Sequence, residues 1–143
     1  MAVRIAGKGD LKRIDDIEEL AFPPAGRLEE GQSAIALRTP MLTCVSTRRR
    51  RIVGFAQVHA SKKVLQIVNM AVDPGHQRSG AGAEMVRWLK SRSPCPEFLA
   101  FVHETYLPAQ LFFRKHGFTC INTVNSDGDT YYEFSWLRPE KKK

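Results

Sequence analysis

The residues best suited to chemistry lie in one glycine-rich stretch, Gln77-Arg78-Ser79-Gly80-Ala81-Gly82-Ala83. Its small residues allow a ligand to approach the backbone closely. A helix that begins here adds unpaired N–H groups and the positive end of its dipole, and both favour an anion. The stretch therefore predicts either a phosphate-binding loop or a plain structural turn between a strand and a helix.

The spacing of this stretch separates it from two widespread phosphate loops. It lacks the glycines of the dinucleotide fingerprint G-x-G-x-x-G, and it lacks the Gly-Lys-Ser/Thr that completes a P-loop. What remains is the pattern Gln77-x-x-Gly80-x-Gly82, placed just after Val72-Asp73-Pro74. Any anion site here belongs to neither of those two classes.

Three further side chains could act on a substrate. Asn69 interrupts an apolar run, and a polar group there needs a partner, which is either a structural hydrogen bond or the amine of an acceptor. Glu104, beside His103, follows another apolar run and is a candidate base, although a solvated or capping role is the alternative. Tyr106 is a candidate proton donor or a cover for a ligand.

The element that positions the loop is a strand followed by a helix. Nearly every residue of Val64–Val72 is apolar or β-branched, as in an interior strand, and Asp73-Pro74-Gly75 then stops it. Beyond the loop, Met85, Val86 and Leu89 continue an apolar helix face. Strand, turn and helix thus follow one another directly.

Upstream, a strand at Ala2–Ile5 and a helix from an Asp10 N-cap to about Ala21 are predicted. Four acidic residues of that helix are expected mostly on its solvated side, namely Asp15, Asp16, Glu18 and Glu19. Residues 22–26 break the helix, and a weaker helix is predicted over Leu28–Leu37.

Two strands follow, Met41–Thr47 and Ile52–Ala60, joined through the block Arg48-Arg49-Arg50-Arg51. The block is either a solvated turn or part of the rim that carries the phosphate loop. The second arrangement requires Ile52–Ala60 to run antiparallel to Val64–Val72, which brings its start beside the end of the central strand. The arginines would then be placed to hold phosphates or an RNA backbone.

Downstream, Glu97–Val102 is predicted as a strand parallel to the central one, because a helix crosses between them. A helix from Pro108 to about His116 ends at Gly117. A hairpin pairs Phe118–Val124 with Thr130–Leu137 across a turn that contains Asp-Gly. At 143 residues the chain is expected to form one domain, residues 1–137, with a basic tail at 138–143.

Composition narrows the class of protein. The hydrophobic fraction of 43% and charged fraction of 26% are ordinary for a soluble globular protein, and no apolar run is long enough for a membrane helix or a secretory signal. Cys44, Cys95 and Cys120 are odd in number and far apart, which favours reduced thiols in the cytoplasm over disulfides or a metal site. A net charge of +7 suits an anionic partner, such as coenzyme A, RNA or a ribosome.

The loop resembles the pyrophosphate loop of the GNAT superfamily of N-acetyltransferases, Gln/Arg-x-x-Gly-x-Gly/Ala after a Val-x-Pro strand end. Asn69-Met70-Ala71-Val72-Asp73-Pro74 is most similar to the branch that acetylates the N-terminal alanine of a ribosomal protein, the RimI-type enzymes. The predicted order β-α-α-β-β-β-α-β-α-β-β matches the α/β GNAT fold, with its mixed sheet, over essentially the full length. The resemblance implies that acetyl-CoA is held by Met70, Ala71, Val72, Gln77, Arg78, Ser79, Gly80, Ala81, Gly82, Ala83 and Phe113.

A second stretch, Ala109 to Phe118, is similar to the family's Asn-x-x-Ala-x-x-Leu-Tyr-x-x-x-Gly-Phe helix, but it departs from that pattern at two positions. Tyr106 stands where the family has Asn, and Phe113 replaces the Tyr that often protonates the leaving thiolate. The carboxylate that serves the RimI-type branch as base would fall at about Phe101, with Glu104 nearby. The resemblance and the residues together leave Glu104, Tyr106 and Asn69 as the candidate catalytic set.

The resemblance implies transfer of an acetyl group from acetyl-CoA to a primary amine by direct attack in a ternary complex. Neutralising a lysine at pH 7 costs roughly 4–5 kcal/mol, whereas an α-amine costs roughly 1 kcal/mol, so a chain without an obvious base favours a protein N-terminal amine. A small-molecule amine is the other acceptor class. The alternative function is a catalytically weak module of the same fold that binds CoA, RNA or the ribosome. The protein is expected to be cytoplasmic, as a monomer or homodimer without membrane contact.

Overall fold

The computed structural model of the protein describes residues 2–21 and 41–140. The helix predicted over Leu28–Leu37, the break at 22–26 and the last three residues of the tail lie outside these ranges. The described residues divide into two compact units. The first unit comprises Met1–His59 with Asn69–Pro94, and the second comprises Ala60–Val68 with Cys95–Lys143, each as far as it is described.

Within the described ranges the strands and helices follow one another in the predicted order. The elements are β1 Ala2–Ile5, α1 Leu11–Ala21, β2 Met41–Arg48, β3 Arg51–Ala60, β4 Val64–Val72, α2 Ala81–Arg92, β5 Glu97–His103, α3 Leu107–Lys115, β6 Thr119–Ser126 and β7 Asp129–Leu137. The bounds of β1 and β4 are those predicted. Short 3-10 turns occupy Lys8–Asp10 and Pro74–His76.

The seven strands are ordered β1-β2-β3-β4-β5-β7-β6. The β4–β5 pair is parallel, whereas β1–β2, β2–β3, β5–β7 and β6–β7 are antiparallel. The mixed α/β fold class expected from the sequence is therefore confirmed, together with the parallel crossover through α2. The first residues of β4 belong to the second unit, and its last four residues belong to the first.

The core of the first unit forms where α1 packs on the sheet. Its buried members come from the apolar face of α1 and from the strands, namely Ile14, Ile17, Val45, Ile52, Phe55 and Ala71. The Asp10 carboxylate accepts from the Gly7 N–H and from Arg4, so it does not cap α1 as predicted. The Asp10 carboxylate bonds to residues that precede it in the chain, because the 3-10 turn at 8–10 places it beside Gly7 and Arg4.

The exposure predicted for Glu18 of α1 is also wrong. Glu18 was expected on the solvated side, but only 5% of it is exposed. It lies four residues after Ile14 and one after Ile17, so the helical repeat places it on the packed face. Asp15, Asp16 and Glu19 are exposed, as predicted.

The core of the second unit is aromatic. Phe113 of α3 contacts the rings of Phe118 and Phe134, with centroids 5.1 and 6.2 Å away. Gly117 ends α3 with φ +87°, and a Cβ there would stand 3.3 Å from Trp136, which explains the glycine cap. This unit is held by side chains from α3 and the β6–β7 hairpin.

The three cysteines, Cys44, Cys95 and Cys120, form no disulfide. Cys44 is fully buried, and this burial raises the pKa of its thiol to about 12. In the described part of the chain, no helix is long and apolar enough to span a membrane.

Candidate active site

The glycine-rich loop begins where β4 ends. The Asp73 carboxylate accepts from the Gly75 N–H at 2.9 Å and opens the 3-10 turn Pro74–His76. Arg78 and Gly80 then adopt left-handed conformations, with φ +65° and +85°. The predicted loop is shorter than expected, because Ala81, Gly82 and Ala83 already form the first turn of α2.

The loop presents its backbone to solvent. Residues 77–80 are exposed, and no Cβ added at Gly80 would meet an atom within 4 Å. The N–H groups of the first turn of α2 have no intrahelical acceptors, since the first such bond runs from the Glu84 N–H to the Gly80 carbonyl. Exposed donors and the positive end of a helix dipole suit a diphosphate.

Arg48, at the end of β2, contacts this loop. Its guanidinium donates to the Ser79 carbonyl at 3.3 Å and to the Ser46 hydroxyl at 3.0 Å. It also lies 3.6 Å from the Glu84 carboxylate, which accepts from Ser46 at 3.4 Å. Of the two arrangements considered for the arginine block, Arg48 lies on the rim of the loop, while Arg49 and Arg50 form the exposed turn.

A second ion pair joins α1 to the loop. The Arg13 guanidinium donates to the Asp73 carboxylate at 2.6 Å and to the Ile52 carbonyl at 3.0 Å. The Gly75 N–H and the Arg13 guanidinium lower the pKa of Asp73, the former more strongly. The Asp73 N–H donates to the Val53 carbonyl at 2.7 Å, which places the start of β3 beside the end of β4.

Asn69, one of the predicted catalytic residues, belongs to a polar cluster between α1 and the sheet. Its amide donates to the Glu18 carboxylate and lies 3.5 Å from the Gln57 carbonyl oxygen. Glu18 and Gln57 are both buried, whereas Asn69 is half-buried. Of the two roles considered for Asn69, a structural hydrogen bond is present.

Sequence reasoning missed Glu18 and Gln57 as members of this cluster. The available signals were the helical position of Glu18, on the face of Ile14, and the need of Asn69 for a partner. Met70, Ala71 and Val72 follow Asn69 as the last residues of β4, directly before the loop. All of these residues belong to the first unit.

The other two predicted catalytic residues lie in the second unit, beyond the end of β5. Glu104 is exposed, and its backbone is held by bonds to the Thr130 carbonyl and the Gln110 side chain. Tyr106 is the N-cap residue of α3 and is half-buried, and this burial raises the pKa of its phenol. At neutral pH Tyr106 therefore keeps the proton that an acid catalyst must donate.

His103 lies beside Glu104 in a defined hydrogen-bonding arrangement. Its Nδ1 accepts from the Thr105 N–H at 3.2 Å, and its Nε2 lies 3.1 Å from the Asp129 carboxylate. The tautomer consistent with both contacts carries its hydrogen on Nε2. Its ring also meets Tyr131 edge-on at 5.3 Å.

Phe113 and Phe101, the positions where the family pattern has functional residues, differ in exposure. Phe113 is 5% exposed and packs in the aromatic core of the second unit, whereas Phe101 is 41% exposed. Phe101 lines a groove of about 340 Å³ in the second unit, with Gln66, Val124, Ser126 and Tyr131. Among the described residues, no group of His, Cys, Asp or Glu could hold a metal ion.

A family model described as "Acetyltransferase (GNAT) domain" matches residues 41–120. The match runs from the start of β2 to the start of β6 and includes the glycine-rich loop. The comparison with curated proteins found no sequence relative.

Three solved structures illustrate the similarity of fold. The ribosomal-protein-S18-alanine N-acetyltransferase from Escherichia coli is 18% identical, with a TM-score of 0.81 over 99% of this chain and 96% of that chain. NAA60 from Arabidopsis thaliana, in complex with a bisubstrate analogue, is 18% identical, with a TM-score of 0.78 over 95% and 97%. A GNAT family acetyltransferase from Elizabethkingia anophelis with acetyl-CoA bound is 12% identical, with a TM-score of 0.75 over 96% and 97%.

Proposed function

The chain belongs to the GNAT family of acetyltransferases, and from that premise we propose that it transfers the acetyl group of acetyl-CoA to a primary amine by direct attack in a ternary complex. Acetyl-CoA supplies an activated acyl thioester when bound. The observation that carries the proposal is the exposed loop at 77–80, with left-handed Arg78 and Gly80 directly before the N-terminus of α2. An anionic, phosphate-bearing co-substrate fits this set of donors.

In this proposal, several residues bind acetyl-CoA. The backbone of Gln77–Gly80 and the first turn of α2, from Ala81 to Ala83, bind the pyrophosphate. Arg48 holds the loop through the Ser79 carbonyl. Phe113 is proposed to contact the pantetheine arm. We assign no metal.

Catalysis, as proposed, depends mainly on orientation and on backbone polarisation. Holding the amine in line with the thioester supplies several kcal/mol. An N–H of Met70–Val72 polarises the thioester carbonyl. Tyr106, whose raised pKa keeps its hydroxyl protonated, donates to the departing thiolate, and Glu104 accepts the amine's proton directly or through water.

The proposed acceptor is a protein N-terminal amine, as in the RimI-type branch. Two observations support it. An α-amine costs roughly 1 kcal/mol to neutralise at pH 7, which suits a site whose candidate base, Glu104, is exposed. The fold is also similar to that of a ribosomal-protein-S18-alanine N-acetyltransferase. Three cysteines without a disulfide suit a reducing compartment, so we propose that the protein works in the cytoplasm.

The second candidate function is a catalytically weak module that binds CoA, RNA or the ribosome. The observations that favour it are Phe113, which has no proton to donate, and the exposed arginines of the β2–β3 turn in a chain of net charge +7. Both functions include an anion site, so they differ in turnover rather than in binding.

The test is titration calorimetry with acetyl-CoA, followed by mass spectrometry of peptides incubated with the protein and acetyl-CoA. We expect roughly micromolar binding and acetylation of a peptide with a free N-terminal alanine. An otherwise identical peptide with a blocked N-terminus and one internal lysine is the matched control. Binding of acetyl-CoA without acetylation of any peptide or small amine would favour the catalytically weak module over the enzyme. No binding at millimolar acetyl-CoA would refute both the cofactor and the enzyme.

The loop assignment is tested by Gly80→Val. Gly80 has φ +85°, a conformation that a β-branched residue adopts only under strain, so the loop should lose its geometry. We expect acetyl-CoA affinity to fall at least about tenfold, because the backbone donors no longer converge. Gly9→Val, in a turn with open space around the Cβ position, is the control and should bind normally. Equal affinities in the two variants would refute the loop as the phosphate site.

A further inference from the structure

The Asn69 side chain is held between two buried polar groups of the first unit. Its amide nitrogen donates to Glu18 of α1, and the same nitrogen lies 3.5 Å from the Gln57 oxygen of β3. Glu18 is 5% exposed and Gln57 is fully buried. These three polar residues stand beside the apolar core around Ile17 and Phe55.

The chemistry of the pair fixes the orientation of Asn69. A carboxylate accepts hydrogen bonds and has no hydrogen to give, so the NH₂ of Asn69 must face Glu18. The Gln57 oxygen, also an acceptor, lies on the side of the same nitrogen. The Asn69 carbonyl oxygen is therefore directed away from both partners, and it belongs to the one residue of the three that is partly exposed.

Two buried polar groups lie on one face of the sheet at this cluster. The Gln57 Nε2 is buried and has no hydrogen-bond partner among the described residues, and neither has the Thr43 hydroxyl directly opposite it on β2. A buried polar group that stays unpaired destabilises the fold. Apolar residues at these positions would fill the same face of the sheet without that cost. Polar side chains kept at such a place are expected where function constrains the sequence.

We propose that Glu18 is a positioning residue, which holds Asn69 so that the carbonyl oxygen of Asn69 accepts a hydrogen bond from the primary amine of the acceptor. This inference rests on the proposed function, because it concerns the amine that is acetylated. Asn69 immediately precedes Met70–Val72, the segment proposed to polarise the thioester. An acceptor amine bound to the Asn69 oxygen is thus held beside the strand segment that is proposed to polarise the thioester. The negative charge of Glu18 also favours a cationic amine over a neutral alcohol.

The decisive variant is Glu18→Gln. An amide at position 18 can either accept from the Asn69 NH₂ or donate to the Asn69 oxygen. The side-chain hydrogen bond therefore survives, but Asn69 is no longer fixed in one orientation and the negative charge beside it is lost. We expect near wild-type stability and an unchanged acetyl-CoA Kd, with kcat/KM for the N-terminal-alanine peptide reduced about 10- to 100-fold. Asp15→Asn removes the same charge at an exposed position of α1 and should leave all three values unchanged.

A compensating variant separates positioning from mere packing. In Glu18→Gln combined with Asn69→Asp, the new amide at position 18 donates to one oxygen of the new carboxylate at position 69, and the other oxygen again faces the acceptor. We expect at least a partial return of kcat/KM. If Glu18→Gln keeps full activity, or if the double variant is no better than the single one, the positioning role is refuted.

A measurement on the wild-type protein needs neither turnover nor a folded variant. The two side-chain amide hydrogens of Asn69, followed by NMR, should exchange with solvent far more slowly than those of the exposed Asn122. Equal exchange rates for the side-chain amides of Asn69 and Asn122 would refute the hydrogen bond by which Glu18 positions Asn69. Failure of the proposed function is a separate result: no peptide or amine is acetylated, while the slow exchange at Asn69 persists.

Discussion

Asp73 is the residue at which stability and pH are most directly linked. Its carboxylate accepts from the Gly75 N–H and pairs with Arg13, and these contacts lower its pKa from the ordinary value of 3.8. A carboxylate with a lowered pKa binds its proton more weakly in the folded state than in the unfolded state. The stability that it contributes is therefore present above about pH 4 and is lost as the pH falls through the folded-state pKa.

Asp73→Asn tests this linkage. At pH 7 we expect the variant to be about 1–2 kcal/mol less stable, because the charged interaction with Arg13 is lost. As the pH falls below about 4, the difference should shrink, since the wild-type carboxylate also becomes neutral. Urea unfolding at several pH values measures it, with Asp15→Asn as a matched loss of charge at an exposed site. A difference that stays constant down to about pH 3 would contradict the assignment.

At the same scale, the sequence indicated that Asn69 needed a partner but not which residue would supply it. The solvated role expected for Glu18 came from its residue type, whereas its position one helical turn after Ile14 placed it on the buried face. Gln57 carried no signal, because a single glutamine in a strand is ordinarily found on a solvent-facing side of the sheet. Pairing across α1, β3 and β4 is a tertiary contact between distant residues, and periodicity within one element does not report it.

The loop of the β2–β3 hairpin combines two positive charges with two residues of left-handed backbone conformation. Arg48 pairs with Arg51, so the loop has two residues, Arg49 and Arg50, with φ +52° and +68°. Two-residue hairpin loops with positive φ at both positions favour Asn-Gly. The left-handed conformation costs an ordinary residue about 1–2 kcal/mol.

Replacing this turn by Arg49→Asn with Arg50→Gly should therefore raise the free energy of unfolding by about 1 kcal/mol. Arg49→Gln with Arg50→Gln removes the same two charges without relieving the backbone and should give no such gain. Chemical unfolding of both variants measures the difference. Equal stability would mean that the turn is not strained. An equal loss of acetyl-CoA affinity in both would indicate that the two charges contact the CoA phosphates.

The ends of strands and helices could be predicted from the sequence where turn-forming residues follow them. Asp73-Pro74 ends β4 at the predicted residue, and Gly117 ends α3 near the predicted place. The start of α2 was placed too late, because small residues suit a ligand-binding loop and a closely packed helix turn equally well. Gly80, with its left-handed φ, is the actual boundary. That choice depends on backbone geometry, which composition does not reveal.

On the scale of the whole molecule, the net charge of +7 bears on the choice between the enzyme and the module. A positive surface binds RNA through released counterions, and such binding weakens steeply between about 50 and 200 mM salt. We expect a labelled single-stranded RNA to bind at low salt and to dissociate by about 200 mM, while acetyl-CoA binding persists. Anisotropy and calorimetry in the same buffers test this. RNA binding that survives high salt would favour the module.

The fold class and the order of the described elements could be predicted because turns, strand runs and one loop pattern recur at recognisable spacing. The catalytic groups could not be predicted to the same depth. Asn69 and the loop lie in one compact unit, whereas Glu104 and Tyr106 lie in the other, and they are separated along the chain by α2. Which side chains meet a substrate depends on folded geometry rather than on local spacing.

The rate at which the buried thiol of Cys44 can be labelled reports local unfolding of β2. With no exposed surface and a pKa of about 12, this sulfur is neither reachable nor ionised in the folded state, so an alkylating reagent can modify it only while β2 is transiently detached from the sheet. Cys120, which is partly exposed, gives the rate of reaction without that protection. The ratio of the two labelling rates therefore reports, in the unmodified protein, how often the strand that carries Arg48 opens.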